Sequence, residues 1–205
     1  MVFLCRNVWV LFIVPIFICI YLSILFSLIR IGELEDITLS DNTFLNMADS
    51  LSPFNIPELN AAIANYDRKR ASLSEDLGER TRYLESAKLH WEYASATRPN
   101  WPYYQLGVFN AEINLGISDD QLGSRFDQII WMAPNERGID RAMLELGFAV
   151  WWKLADSQQD WLVNRMVSSG LPKTLVFGLE KANQYGIKPL VCSRLPWPLA
   201  KQHCL

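Results

Sequence analysis

The amino-acid sequence predicts an all-α protein, with one N-terminal transmembrane helix followed by an α-helical domain built from helical hairpins. Three observations predict this class: an uncharged apolar run, apolar residues at helical spacing through the remaining chain, and no segment with the alternation of a strand. We divide the chain into an N-terminal tail, a transmembrane helix, a juxtamembrane segment and a helical domain, at residues 1–7, 8–29, 30–56 and 57–205.

The apolar run at residues 8–29 contains no charged residue and is bracketed by Arg6 and Arg30. At about 1.5 Å per residue it is long enough to cross a hydrocarbon core of roughly 30 Å. Pro15 is tolerated in a membrane helix. A cleavable signal peptide is the alternative, but its apolar region would be about 7–15 residues long and would end at small residues. We therefore expect an uncleaved anchor that binds the lipid bilayer through residues 8–29.

The orientation of this helix depends on few charges, because one arginine lies on each side of the span. The α-amino group adds positive charge to the N-terminal side, whereas the acidic residues after the span count for little. We expect the N-terminus inside and the helical domain outside.

The cysteines agree with an external domain. Cys192 and Cys204 are separated by SRLPWPLAKQH, whose prolines allow the chain to turn back. A disulfide between them would close a small loop and would require an oxidising compartment. Two unpaired thiols are the alternative. A zinc site formed by these cysteines and His203 lacks a fourth ligand and the usual ligand spacing, so we expect no metal.

The juxtamembrane segment contains SDNTFLNMADSL, which predicts a short helix capped by Ser40 or Asp41. Pro57 favours the first turn of a helix that runs to about Ala71 and ends in the basic run DRKR. We expect Gly78 to separate this helix from the next one.

The next helix, at about 79–97, carries Ala87, Trp91 and Ala94 before Pro99. The alanines allow a neighbouring helix to approach closely, and the tryptophan inserts into the groove of that neighbour. Proline ends the helix because it has no backbone N–H and restricts the residue before it. The spacing A-x3-W-x2-A-x4-P resembles the second helix of a tetratricopeptide repeat.

A second, degenerate copy of this pattern follows. WPYYQLGVFNAEINLG predicts a helix opened by Pro102, with Y-x2-L-G where the repeat has W-x2-L-G. A partner helix at about 119–132 closes at Pro134, so the two closing prolines are separated by about one repeat length of roughly 34 residues. We therefore predict a tetratricopeptide-like domain, and an irregular helical bundle is the alternative.

The remaining sequence predicts helices only. Residues 135–157 predict the longest helix of the domain, with Gly147 at a close helix crossing. A further helix is expected at about 158–169, and another is opened by Pro172 and ended by Gly186. The domain would thus contain six or seven helices.

The sequence contains no motif of a catalytic site: no nucleophile elbow, H-E-x-x-H, Walker A or dinucleotide glycine pattern occurs. His90 and His203 are isolated. A net charge of −3 gives no reason to expect nucleic acid. We therefore expect no enzyme and no cofactor. One run alternates in sign at i, i+4 spacing, which is typical of a solvated ion-pair face or, alternatively, of a groove rim: Glu136, Arg137, Asp140, Arg141 and Glu145.

Aromatic residues near a basic one provide the candidate binding face. It comprises Arg98, Trp101, Tyr103, Tyr104, Trp151 and Trp152. The two consecutive tryptophans point about 100° apart, so one is expected in the core and one nearer the rim. Helical repeats bind peptides or proteins on such a concave face, and aromatic faces also stack on sugar rings. Core packing is the alternative for each of these residues.

The chain as a whole resembles the VpsP-like polysaccharide biosynthesis proteins of Gram-negative bacteria. The likeness lies in the short N-terminal anchor, RPNWPYY, APNERGIDRAMLELG with its following WW, and the late LVC…C. It implies a small inner-membrane protein encoded among exopolysaccharide genes, without a defined reaction. With the orientation above, residues 1–7 would be cytoplasmic and residues 57–205 periplasmic.

We expect a non-enzymatic adaptor that holds proteins of a polysaccharide polymerisation or export machine together, because tethering raises their effective concentration. A glycan-binding module that uses the aromatic residues is one alternative. An enzyme with two acidic side chains across a cleft is another. An assembly factor of a different envelope machine, such as a pilus or secretion system, would use the same physics.

Overall fold

A computed structural model of the chain describes residues 2–35, 42–168 and 172–204. Within these ranges the chain is helical and contains no strand, which confirms the all-α class and the apolar N-terminal helix. It forms two compact units, Met1–Thr97 and Arg98–Leu205, which we describe separately. Their boundary follows the end of a helix just before Pro99 and differs from the division at residues 56 and 57 made on sequence.

The first unit contains four helices: α1 (Val2–Leu34), α2 (Thr43–Leu51), α3 (Pro57–Leu73) and α4 (Leu77–Thr97). Helix α1 extends past both ends of the span predicted at residues 8–29. Helix α2 is capped by Asn42, whose Oδ1 accepts a hydrogen bond from the backbone N–H of Leu45 at 2.9 Å. The predicted caps, Ser40 and Asp41, lie outside the described residues.

The C-terminal half of α1 is part of a small core. Six buried side chains from α1, α2 and α3 form it: Leu25, Ile29, Leu45, Ala48, Leu59 and Ala62. Gly32 permits the close approach of α2, because a Cβ there would lie 2.8 Å from Cγ of Leu45. The Nδ2 of Asn42 also donates to the carbonyl oxygen of Gly32 at 2.8 Å. Apolar packing and a buried hydrogen bond thus join α2 to α1.

Helices α3 and α4 form an antiparallel hairpin, and Pro57 opens α3 as predicted. The apolar face predicted for α4 is buried at Ala87, Trp91 and Ala94. Gly78 lies in the first turn of α4 and does not separate the helices. The reason is that the carboxylate of Asp76 accepts the backbone N–H of Glu79 at 2.7 Å, so the helix begins earlier than the glycine suggests.

The second unit contains α5 (Pro102–Leu115), α6 (Asp119–Met132), α7 (Asp140–Ala149), α8 (Asp156–Ser168), α9 (Pro172–Gln184), α10 (Lys188–Arg194) and α11 (Trp197–His203), with 3₁₀ turns at Arg137–Ile139 and Trp151–Lys153. From Pro57 onward, the described residues therefore contain nine α-helices, more than the six or seven predicted. Helices α5 and α6 have the predicted bounds. They form a helical hairpin, but the tetratricopeptide likeness itself stays a prediction.

The prediction of a single long helix at residues 135–157 is wrong. The helix ends at Ala149, where Val150 has φ −113° and ψ 22°, and the 3₁₀ turn that follows ends at Leu154, which is extended with φ −93° and ψ 144°. The Nε2 of Gln159 donates to the carbonyl oxygens of Trp151 at 2.9 Å and of Leu154 at 3.1 Å. These bonds satisfy carbonyl groups that a continuous helix would have used. A buried side-chain amide from the next helix therefore stabilises the break.

The core of the second unit is aromatic at its centre. The Phe126 ring lies 6.0 Å from the Phe109 ring and 5.7 Å from the Trp161 ring, both edge to face. Gly147 lies at a close helix crossing, as predicted, because a Cβ there would lie 2.6 Å from Cδ1 of Leu162. The fully buried side chains around these rings include Leu122, Ile129, Ile139, Met143, Leu144 and Phe148.

Candidate functional site

The predicted binding face begins with an aromatic group at the start of α5. Trp101 precedes the helix, and its ring centroid lies 5.3 Å from that of Tyr103 and 6.5 Å from that of Tyr104. Arg98, Trp101 and Tyr103 are exposed, with 46% of Trp101 and 37% of Tyr103 accessible to solvent. Tyr104 is buried and belongs to the core.

Tyr103 is held in place by the 3₁₀ turn before α7. Its hydroxyl donates to Oε1 of Glu136 at 3.3 Å, and the same oxygen accepts the backbone N–H of Gly138 at 2.8 Å. Burial of the hydroxyl and the adjacent charge of Glu136 raise the pKa of Tyr103. A side chain at position 138 would collide with this hydroxyl. These contacts therefore fix the position of the Tyr103 ring.

The two consecutive tryptophans have opposite surroundings, as predicted, although they lie in a 3₁₀ turn and not in the long helix from which their angle was taken. Trp151 is 2% exposed, and its ring lies 5.8 Å from Phe148. The guanidinium of Arg194 lies 5.6 Å from the ring of Trp151. Trp152 is 76% exposed. The binding face predicted from sequence is thus corrected at Tyr104 and Trp151, because these apolar rings fill the interior.

A polar depression of about 350 Å³ lies on α5 and α6, lined by Glu112, Asp120, Gln121, Ser124, Arg125 and Gln128. The guanidinium of Arg125 donates to both carboxylate oxygens of Glu112, at 3.0 and 3.2 Å, and to Oε1 of Gln105 at 2.7 Å. This bidentate pair holds α5 against α6. The charges of Arg125 and Glu112 in this depression are thus paired with each other within the second unit.

The charged run from Glu136 to Glu145 was predicted to be a solvated face with pairs at i, i+4, with the rim of a binding groove as the alternative. The structure corrects this interpretation, because the pairs join different helices. Asp140 is buried and accepts from Nε of Arg165 on α8 at 2.6 Å. Glu145 accepts from Lys181 on α9 at 2.5 Å, and this hydrogen bond raises the pKa of Lys181. The charges fix α7 between its neighbours.

A disulfide and a pair of salt bridges hold the C-terminal helices in place. Cys192 and Cys204 form a disulfide that joins α10 to the end of α11, with the two Cα atoms 6.1 Å apart. Both sulfur atoms are used in this bond, so the zinc alternative is not formed here. Arg194 bridges α10 to α8 through Asp156 and Asp160, at 2.8 and 2.5 Å. Its hydrogen bonds to these carboxylates raise the pKa of Arg194.

The histidines have structural surroundings. Nδ1 of His90 lies 2.9 Å from Oδ1 of Asn60 across the α3–α4 hairpin, and His203 lies at the end of α11. Across the described ranges, no group of three or more His, Cys, Asp or Glu side chains is arranged to hold a metal ion.

Sequence reasoning missed two further exposed tryptophans, Trp131 and Trp197. For Trp131 a signal was present. It lies nine positions after Leu122, which places it on the side of α6 opposite to that buried residue at 100° per residue. Trp197 opens the short helix α11, and its neighbours give no periodic signal.

No protein-family model, curated protein or solved structure matches the chain. The likeness to VpsP-like proteins therefore stays a prediction from the sequence.

Proposed function

We propose that the chain is a non-enzymatic adaptor anchored by α1 in a bacterial inner membrane. Its N-terminus would lie in the cytoplasm and its remaining helices in the periplasm. There the tetratricopeptide-like helices would dock proteins of an exopolysaccharide biosynthesis or export machine. The observation that carries this proposal is the exposed apolar surface of α1.

The candidate membrane span of α1, Ile13–Leu34, is long enough to cross a bilayer and has Arg30 and Glu33 near its C-terminal end. Only 11% of the apolar stretch within it is buried. Large exposed side chains include Ile16, Phe17, Ile18, Ile20 and Ile24. Exposed apolar area costs about 25 cal/mol per Å² in water, so a contiguous surface of this kind favours a lipid environment. This supports a membrane helix over a helix of a soluble core.

The packing of α1 supports an uncleaved anchor over a removed signal peptide. Leu25 and Ile29 are buried against α2 and α3, and Gly32 accepts a hydrogen bond from Asn42. Removal of α1 would expose the apolar faces of both helices. The disulfide of Cys192 and Cys204 supports an oxidising compartment for the second unit.

The surface chemistry supports docking by aromatic contacts. Trp101, Trp131, Trp152 and Trp197 are exposed. Tryptophan is enriched at protein interfaces because it combines a large apolar area with a hydrogen-bond donor. The strong charge pairs of the second unit join its own helices and provide fixed geometry. The exopolysaccharide context depends on the sequence resemblance alone.

Crosslinking in living cells tests this proposal. A photo-crosslinking amino acid would replace Trp101 or Trp152 in the full chain, with exposed Lys173 as the matched control position. We expect adducts with envelope proteins from the tryptophan positions and weaker ones from the control. Fractionation into the soluble cytosol, or no adduct from either tryptophan, would contradict it.

The alternative of a glycan-binding module is favoured by one observation. Trp101 and Tyr103 are exposed with ring centroids 5.3 Å apart, and exposed aromatic faces of this kind can stack on sugar rings. Titration with purified polysaccharide would be followed by tryptophan fluorescence in the wild type and in Trp101→Ala. A change that the variant loses would favour glycan binding, and no response at millimolar sugar would count against it.

A further inference from the structure

Helix α2 runs back along α1 toward the N-terminal end of α1. Two hydrogen bonds fix this register: Nδ2 of Asn42 donates to the carbonyl oxygen of Gly32 at 2.8 Å, and Oη of Tyr21 donates to that of Leu51 at 2.7 Å. Gly32 and Tyr21 are about 16 Å apart along α1 at 1.5 Å per residue. The end of α2 is therefore nearer to the N-terminus of α1 than the beginning of α2 is, by about this distance. The corner between α2 and α3 thus lies beside Tyr21, well within the apolar part of α1.

The apolar surface of α2 is wider than the strip that α1 covers. Leu45 and Ala48 are buried against α1, whereas Met47 and Leu51 are each 47% exposed. At 100° per residue, these residues and the half-buried Phe44 span an apolar arc of about 160°. The remaining face of the helix carries Thr43, Asn46, Asp49 and Ser50.

The corner that follows α2 projects Phe54, which is 78% exposed, while the polar groups of Ser52 and Asn60 on either side of it bond internally. The N–H of Ser52 donates to the carbonyl oxygen of Ala48 at 3.0 Å, and its hydroxyl donates to that of Phe54 at 2.6 Å. Nδ2 of Asn60 donates to the carbonyl oxygen of Ile56 at 3.0 Å and to the side chain of Asn55. Internal bonds of this kind are what a chain segment needs when it enters lipid.

The position of the corner along α1 lies within the leaflet that surrounds the C-terminal half of the uncharged run. The ion pair of Arg30 and Glu33 lies near the beginning of α2 and marks the aqueous side. Tyr21 lies eight residues before the end of the uncharged run at Ile29, which corresponds to about 12 Å along the helix. A hydrocarbon core is about 30 Å thick, so this depth lies within one leaflet. It is deeper than the roughly 5–10 Å at which interfacial helices hold their apolar faces.

We propose that the α2–α3 corner is a second membrane-contact site, in which Leu51, Phe54 and Met47 insert into the leaflet that surrounds the C-terminal half of α1. This inference rests on the proposed anchoring of α1. The occupant is lipid because the exposed side chains continue the apolar surface of α1, where Leu22 and Phe26 are exposed at the same level. Two contacts with one leaflet would restrict rotation of the first unit about the axis of α1.

Depth-dependent fluorescence of the full chain tests this site. Cys5 and Cys19 would be replaced by serine, and the disulfide of Cys192 and Cys204 would be kept. Single cysteines at Phe54 and Leu51 would carry an environment-sensitive NBD label, in vesicles of phosphatidylethanolamine and phosphatidylglycerol with and without bromine on the acyl chains. Thr43→Cys, at the other end of α2, is the matched aqueous control, and Ile16→Cys reports insertion of α1.

We expect blue-shifted emission at Phe54→Cys and Leu51→Cys, with quenching by brominated lipid at least threefold stronger than at Thr43→Cys. Emission and iodide accessibility equal to those of Thr43→Cys would overturn the inference. If the label at Ile16 is quenched by lipid and the label at Phe54 is not, only the corner site fails. If neither is quenched, the proposed anchoring itself fails.

Discussion

The hydroxyl of Tyr21 on the apolar helix donates to the carbonyl oxygen of Leu51 at the end of α2, at 2.7 Å. Tyr21→Phe keeps the ring and removes only this bond, so it should lower stability by about 0.5–1.5 kcal/mol and loosen the end of α2. Hydrogen exchange of the full chain in detergent measures this as faster exchange in α2. Ser27→Ala is the control, because its hydroxyl bonds only within α1, to Ser23. Unchanged exchange in α2 would show that the bond does not hold the helix.

Gly32 is the point of closest approach of α1 and α2. Gly32→Ala would place a Cβ 2.8 Å from Leu45 Cγ and 3.1 Å from Asn42 Oδ1, so we expect a loss of about 1–3 kcal/mol by overpacking. Denaturant unfolding in mild detergent measures the loss. In a chain that also carries Leu45→Ala, the further loss of stability caused by Gly32→Ala should be smaller. Gly78→Ala is the control, because only the Asp76 carboxylate lies near its Cβ. Equal effects at both glycines would contradict close packing at Gly32.

Among single substitutions in the second unit, we expect the largest loss of folding stability at the buried pair of Asp140 and Arg165. Arg165→Leu leaves the Asp140 carboxylate buried without its partner, which typically costs 3–5 kcal/mol. The control is Lys153→Ala, because the pair of Lys153 with Asp119 is exposed and worth about 0–1 kcal/mol. Thermal and denaturant unfolding compare the two. A loss below 1 kcal/mol for Arg165→Leu would mean that Asp140 is solvated, as the sequence alone suggested.

Tyr103 predicts a dependence on alkaline pH. Its pKa is raised by burial and by Glu136, so its contribution to stability is full below the ordinary tyrosine pKa and is lost as pH rises through the raised value. Absorbance at 295 nm, as the difference between wild type and Tyr103→Phe, gives the titration of this one group. Glu136→Gln should shift it toward lower pH. A titration at or below the ordinary value, or no shift in the variant, would refute the contact.

The disulfide of Cys192 and Cys204 predicts a local effect of reduction. It closes a loop with a sequence separation of 12, for which the chain-entropy model gives about 3 kcal/mol. Cys192→Ser with Cys204→Ser should release α11 to fast hydrogen exchange while α5 and α6 keep their protection. Cys19→Ser is the control, because Cys19 is a free, exposed cysteine. Protection of α11 that does not change on removal of the bond would contradict this role.

Local signals were sufficient for part of this fold. The bounds of α5 and α6 were predicted because Pro102, Gly116 and Pro134 act on their own backbone, with Gly116 left-handed at φ 69°. The break after α7 was not predicted, since it depends on the Gln159 amide reaching back from the next helix. Helix propensity is estimated from residues that are neighbours in the sequence, so it gives no information about such a bond.

The candidate site was predicted only in part for a similar reason. Periodicity showed that one of Trp151 and Trp152 would be buried, but not which one, because that depends on where Phe148 and Arg194 lie. Asp140 has the spacing of a surface ion pair, and only the fold brings Arg165 beside it. The packing of α2 on α1 could not be predicted from the sequence. Because α1 is apolar on every face, its pattern does not indicate which face packs against another helix.

Protease protection of the full chain in bacterial spheroplasts tests whether α1 anchors an external helical domain. We expect a membrane product that keeps α1, resists carbonate extraction, and loses its second unit, with the oxidised Cys192–Cys204 pair, to protease added outside. A soluble product, a product shortened at its N-terminus to beyond α1, or a second unit that resists external protease until the membrane is lysed would contradict it.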